Sequence, residues 1–316
     1  RSSDTPLAGG KLVAEVFAAA GVPDDVLAVV PGSGGVLGRL LAEHPRVDMV
    51  HFTGSSEVGH ELATLAAPSF KRMSFELGGN NAYIVLGDAD LEVACAAGAW
   101  SAFYHAGQMC VGAGRHIVVR SVAEEYTSRL AERAKALRVG DPQDPSVDVG
   151  PIVSQRQWSR IVELVRRTRE MGATVLAGGE GEAPFVQPTV LADMTPDMPV
   201  WENEVFGPVA PVMVVDSDEE AIAVANDTPY GLSNAIYTGD IERGYELARG
   251  LDSGMVHVNG PTTIDEAHMP FGGCKGSGYG GRSGGDANLE EFTQRKWYSV
   301  QRTASSVSDF EFAMRD

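Results

Sequence analysis

Short apolar runs that end in glycine- or serine-rich turns and pass into helical patterns organise the first part of this chain. Val26-Leu-Ala-Val-Val30 is continuously apolar, as in a strand buried on both faces. Pro31-Gly-Ser-Gly-Gly35 then turns into a helical pattern carrying Val36, Leu37, Leu40 and Leu41. Val47 to Phe52 reads as a second strand, and Thr53-Gly-Ser-Ser56 leads into a helix from about Glu57 to Ala66. Parallel neighbours need crossover helices, so this alternation confines the chain to an α/β fold built on a doubly wound parallel sheet.

The rest of the chain extends the pattern. Residues 1–20 read as a helix, with cap candidates in Ser2 to Thr5, Pro6 early and Gly21 as the stop. Strands are expected at Ala82–Leu86, Arg115–Val119, Val209–Val214 and Met255–Asn259. Helices are expected at Leu91–Tyr104, Val122–Leu137 and Gln155–Met171, the last amphipathic with its arginines on a wet face. Phe292 to Val300, with Trp297 and Tyr298, reads as a closing strand, and Ser305 to Asp316 as a tail. Asp141-Pro-Gln-Asp-Pro145 is a loop.

Bulk properties remove several classes of function. At 316 residues the chain is long enough for two domains. A net charge of -18 offers no basic stripe for phosphates, which argues against a nucleic-acid partner. No apolar run approaches the ~20 residues of a membrane span. Three widely separated cysteines do not read as a disulfide framework, so a cytoplasmic location is expected. No Cys/His spacing fits a zinc site, and no metal is expected. Arg1 opens neither a signal peptide nor an initiator methionine, so the chain reads as cropped at its N-terminus.

Two stretches carry chemistry. Phe103-Tyr-His-Ala-Gly-Gln-Met-Cys110, followed by Val111-Gly-Ala-Gly-Arg115, sets one thiol in a small, glycine-rich context. Ser74-Phe-Glu76-Leu-Gly-Gly79 sets one carboxylate before a glycine pair that lets backbone approach closely. A thiol nucleophile and a carboxylate base suffice for acyl chemistry through a thioester, although a lone cysteine is more often a small core hydrophobe. Cys95, within an apolar helix, has the core reading. Thr53-Gly54-Ser55 suits either a phosphate at a helix N-terminus or plain N-capping. No Gly-x-Gly-x-x-Gly fingerprint follows a strand. Glu204, in Glu202-Asn-Glu204-Val-Phe206-Gly-Pro208, could accept from two hydroxyls, or the stretch is a turn before a strand.

Taken together, the stretches around Glu76 and Cys110, Phe52-Thr-Gly-Ser55 with Gly59, Glu202 to Pro208, and Pro270-Phe271 to Gly280 resemble the NAD(P)-dependent aldehyde dehydrogenase superfamily. The resemblance runs from about Asp4 to Val300. It implies residues 1–77 as the C-terminal part of a cofactor domain, 78–290 as an α/β catalytic domain, and 291–316 as an oligomerisation strand and tail. It implies Cys110 as the nucleophile that attacks an aldehyde and Glu76 as the base that releases the acid. NAD or NADP would be held by Ser3, Pro31, Gly32, Thr53, Gly54, Ser55, Gly59, Leu77, Glu204 and Phe206. A homodimer or homotetramer is implied as well. The motifs look most like the benzaldehyde, salicylaldehyde and vanillin branch, with Met109, Val111, Ile264 and Phe271 around an aromatic aldehyde. The alternative reading is a truncated, non-catalytic subunit or fragment of that family. Three departures stand out: the family's N-terminal portion, with its oxyanion-hole asparagine, is missing; Ser3 stands where NAD-preferring members carry Glu; and Asn80 replaces a common Lys. Ser283 also follows Arg282 where many members place a proton-relaying Glu.

Overall fold

The computed structural model describes residues 7–301, so Ser3, the cap candidates Ser2 to Thr5 and the tail from Ser305 lie outside the described residues. The chain begins with α1 (Leu7–Ala19) and α2 (Gly34–Glu43), then β1 (Met49–Thr53), α3 (Ser56–Ala66) and β2 (Arg72–Glu76). Next come β3 (Asn81–Val85), α4 (Leu91–Phe103), β4 (Ala113–Val119), α5 (Arg120–Ala136) and α6 (Gln155–Glu170). The remainder comprises β5 (Thr174–Ala177), β6 (Thr189–Ala192), α7 (Pro199–Glu202), β7 (Val209–Val215), α8 (Asp218–Asn226), β8 (Ser233–Tyr237), α9 (Ile241–Ala248), β9 (Met255–Val258), β10 (Gly278–Tyr279) and α10 (Ala287–Phe292).

Two sheets form. The larger runs β5-β6-β7-β4-β3-β8-β9, parallel throughout except for the antiparallel β5–β6 edge. Its strands alternate strictly between two cores. Ala82 and Ile84 face one core with Ile117, Ile161 and Val165 of α6, Trp201, and Ala221 and Ala225 of α8. Tyr83 and Val85 face the other, with Ala94 and Cys95 of α4 and Tyr126 and Leu130 of α5. Both faces are therefore dry, as a parallel sheet requires. Cys95 is wholly buried, and burial pushes its thiol up to about 11, in keeping with the core reading.

The smaller sheet is β1-β2-β10, with β1 and β2 parallel and β10 antiparallel to β2. Its core is a modest cluster of Ala42, Leu62, Ala66, Met73, Phe75 and Leu77. Here two expectations fail. Val26–Val30 forms no strand: no ladder joins it to β1, and Val26 and Val30 are 70% and 65% exposed. Val29 instead lies against Gly10 of α1, and an apolar run without a paired neighbour has no ladder to complete. Phe292–Val300 is likewise no strand. Phe292 closes α10, and no strand ladder forms over residues 293–300, with Trp297 91% exposed.

Candidate active site

The seam between the sheets is set by four residues of chain. Thr53 and Glu76 are register partners at the C-terminal ends of β1 and β2. From Glu76 the chain crosses Leu77-Gly78-Gly79-Asn80 and enters β3 at Asn81. The C-terminal ends of the small parallel pair thus open onto the N-terminal ends of the large sheet. In open α/β sheets ligands gather at strand carboxyl ends. Cys110 reaches the same seam from the loop between α4 and β4. That loop passes through His105 and Ala106, both with φ of 54°, a conformation uncommon outside glycine.

Hydrogen bonds fix this loop. Asn81 Nδ2 donates to the carbonyls of Cys110 (2.8 Å) and Gly112 (2.7 Å), while its Oδ1 accepts from Ser233 N at 2.9 Å. Gly79 packs on the Cys110 carbonyl so closely that a Cβ there would stand 2.6 Å from the oxygen. Its neighbour Gly78 leaves room for Glu204, whose carboxylate would lie 2.2 Å from a Cβ at that position. Glu204 Oε1 accepts from Gly79 N at 3.0 Å. Behind the loop, Arg115 Nε donates to Asn80 O at 2.8 Å, and its other nitrogens donate to Val224 O and Ala225 O at the end of α8. The buried guanidinium thereby satisfies carbonyls that a helix C-terminus leaves orphaned.

The electrostatics are those of a crowded, partly dry acid site. Burial pushes Glu76 up to about 7, opposed by Arg282 and aided by Asp265. Burial also pushes Glu204 up to about 7, opposed by its bond from Gly79 and by Arg160. Glu76 Oε2 is buried without a hydrogen-bond partner. The Cys110 thiol is pushed up to about 11, first by burial and then by Glu204 and Glu76. A resting thiolate is therefore disfavoured, and reaction at sulfur requires a base to take the proton.

The other predicted residues divide into two groups. Thr53, Gly54 and Ser55 sit beside Glu76 at the mouth of β1, with Gly54 N donating to Glu76 O at 3.1 Å. Ser55 caps α3, accepting from Val58 N at 3.4 Å, and so retains its own hydroxyl proton for a further acceptor. Leu77 packs onto Gly59, tying the first turn of α3 to the seam. Met109, Glu204 and Phe206 line one small hollow below the Cys110 loop. Phe271 bridges Ser283 next to Gly272, which lies against Glu76. Pro31 and Gly32 are in an exposed turn before α2, where Gly32 touches Leu37. Val111 is only 4% exposed and presents little to a ligand, whereas Ile264 is 39% exposed and leans on Gly260. A separate groove of about 720 Å³ between α3, β2 and β10 reaches neither Cys110 nor Glu76.

The sequence reading gives Asn81, Arg115 and Arg282 no role at the site. The doubled amide of Asn80-Asn81 was the available signal, since such side chains serve where backbone must be held. Among the described residues no cluster of three or more His, Cys, Asp or Glu could hold a metal, and no helix is long and apolar enough to cross a membrane.

Known proteins give the chain its family. The aldehyde dehydrogenase family profile matches residues 1–298. The chain is 47% identical to benzaldehyde dehydrogenase [NAD(+)] of Pseudomonas putida, over 94% of this chain and 61% of that protein. It is 45% identical to a vanillin dehydrogenase of an Amycolatopsis species, again over 94% of this chain and 61% of the relative. The crystal structure of an NAD-dependent aldehyde dehydrogenase from Sinorhizobium meliloti superposes with a TM-score of 0.92 at 34% identity, covering 96% of this chain and 61% of that one. The chain thus spans about three fifths of the length of these proteins. With family profile, sequence identity and fold in agreement, the chain belongs to the aldehyde dehydrogenase family.

Proposed function

We propose that this chain carries the nucleophile and the water-activating base of an enzyme that oxidises an aromatic aldehyde to its carboxylic acid. The observation that carries the reading is the nearness of Cys110 to the buried carboxylate of Glu76, whose Oε2 has no hydrogen-bond partner, at one seam. In this reading Cys110 loses its proton to a neighbouring carboxylate, and its sulfur attacks the aldehyde carbon. The oxyanion that forms lies toward the Cys110 backbone amide. NAD or NADP, when bound, supplies the hydride acceptor. Thr53 to Ser55 and the start of α3 suit the cofactor's phosphates, and Glu204 suits ribose hydroxyls. A thioester then remains on Cys110. Glu76 takes a proton from water, the water oxygen attacks the thioester carbon, and the carbon–sulfur bond breaks to release the acid.

The aromatic preference is supported by the names of the relatives above and by Phe271 and Met109 flanking the seam; a ring is held mainly by burial and offset stacking. The same reading places the protein in a homodimer or homotetramer, with the exposed segment after α10 covered by a partner. Activity should vanish in Cys110→Ala and persist in Cys95→Ala and Cys274→Ser. In the full native protein kcat/KM for benzaldehyde should exceed that for hexanal at least about tenfold, or ~1.4 kcal/mol. Equal efficiency would overturn the aromatic assignment, and an active Cys110→Ala would overturn the mechanism.

A further inference from the structure

The seam carries a cation that the reaction scheme above does not use. Arg282 enters from the strand-like segment after β10 and donates from Nη1 to Gly273 O at 2.6 Å. Glu76 approaches the same spot from the end of β2. A Cβ placed on Gly272 would stand 3.0 Å from Glu76 Oε1 and 3.2 Å from Arg282 Nη1. Gly272 has φ of +151° and no side chain, so both groups come close to one point beside its backbone. They stop short of an ion pair: none is formed between them, and Glu76 Oε2 stays without a partner. The guanidinium is near enough to act on the carboxylate through space, while the Gly273 carbonyl keeps it from capping the oxygens.

We infer that Arg282 is a positioning residue for the water-activating step, holding Glu76 in its base form at a fixed stand-off without occupying its proton-accepting oxygen. The inference rests on the reading of Glu76 as the base. A directly paired Glu76 would be a weak base with blocked lone pairs, whereas an isolated one would stay protonated in its dry setting. The stand-off serves both needs. Other groups around Glu76 are few. Its ladder neighbours Thr53 and Gly278 bear no charge. Asp265 opposes Arg282, and the Cys110 thiol faces the same space. The cation lowers the proton affinity of Glu76 and the Asp265 anion raises it. Removing Arg282 should therefore keep Glu76 protonated to higher pH, and removing the exposed Asp265 should do the reverse.

The test is the pH dependence of thioester hydrolysis, measured by single-turnover kinetics on the full native protein. In Arg282→Gln the basic-form limb should move upward by about one pH unit, the low end of the roughly 1–3 by which a neighbouring guanidinium shifts a carboxylate. Arg282→Lys should return the limb most of the way. Asp265→Asn, an exposed substitution that leaves the packing intact, should move it downward. Infrared titration of the protonated carboxyl band lost in Glu76→Gln provides the same readout without turnover. A limb and a carboxyl band that stay in place in both Arg282→Gln and Asp265→Asn would overturn the inference, and a rate loss uniform across pH would show a structural role only. If Glu76→Gln itself hydrolyses the thioester at the normal rate, it is the reading of Glu76 as the base that fails.

Discussion

The two sheets treat similar sequence in opposite ways. In the large sheet the apolar run Ala82 to Leu86 supplies most of β3 and is wholly buried between α4–α5 on one face and α6–α8 on the other. In the small sheet's region Val26 to Val30 has the same character and remains irregular and exposed. The difference lies in what surrounds each run. β3 has strands on both edges and helices on both faces; Val26–Val30 has one helix beside it and no ladder. Apolar composition proposes a strand, and paired neighbours decide it. The candidate site at the seam uses both environments, taking rigid backbone from the large sheet and an open mouth from the small one.

This contrast can be broken most severely at Arg115. Arg115→Leu would leave the buried carbonyls of Asn80, Val224 and Ala225 without donors, at about 1–3 kcal/mol for each orphaned group. We expect a loss of at least about 3 kcal/mol in urea unfolding. A loss below 1 kcal/mol would show that the large sheet does not rely on this tie.

A smaller but local effect is expected at Asn81. Asn81→Ala removes the donor to the Cys110 and Gly112 carbonyls and the acceptor for Ser233 N. Stability should fall by about 2 kcal/mol, and iodoacetamide should alkylate Cys110 at a changed rate while Cys274 is unaffected. An unchanged alkylation rate would mean that the loop holds its shape without Asn81.

The two regions should also differ in sign with pH. His116, fully buried in the large sheet with Nδ1 on Tyr126 Oη, is pushed down to about 3 by burial. The unfolded chain binds that proton first, so His116 costs stability as pH falls from about 6.5 toward about 3. Glu76 is held up at about 7 against an ordinary 4.5, so the folded state binds its proton first and stability falls as pH rises between those values. Glu76→Gln should accordingly stabilise the protein by about 1 kcal/mol at pH 8 and by much less at pH 5. Equal effects at both pH values would contradict the buried-carboxylate picture. Least affected should be Val26→Ser, within about 0.5 kcal/mol, because the side chain is already in water.

Much of this was legible in the sequence, and the illegible part has a common cause. The helices from α3 to α6 and the strands β3, β4, β7 and β9 follow from local apolar period and turn residues such as Asp90 and Ser154, which cap α4 and α6. The closeness of Cys110 to Glu76 was implied by motif resemblance, but what holds them was not. Asn81 bonds across to the Cys110 loop, Arg115 spans to α8, and Arg282 and Glu76 both approach Gly272. Each is a contact between segments distant in sequence, with no periodicity to announce it. Phe292–Val300 failed for a related reason, since its aromatic and β-branched residues find no pairing edge among the described residues.

The central claim, that Cys110 carries the acyl group which Glu76 releases, is tested most directly by trapping. Full native Glu76→Gln protein should be mixed with benzaldehyde and oxidised cofactor, then digested and weighed. The account predicts one equivalent of reduced cofactor per site, with a benzoyl adduct confined to the Cys110 peptide that persists because its hydrolysis has lost the base. An adduct on Cys274 or Cys95, or steady turnover with no adduct at all, would contradict it.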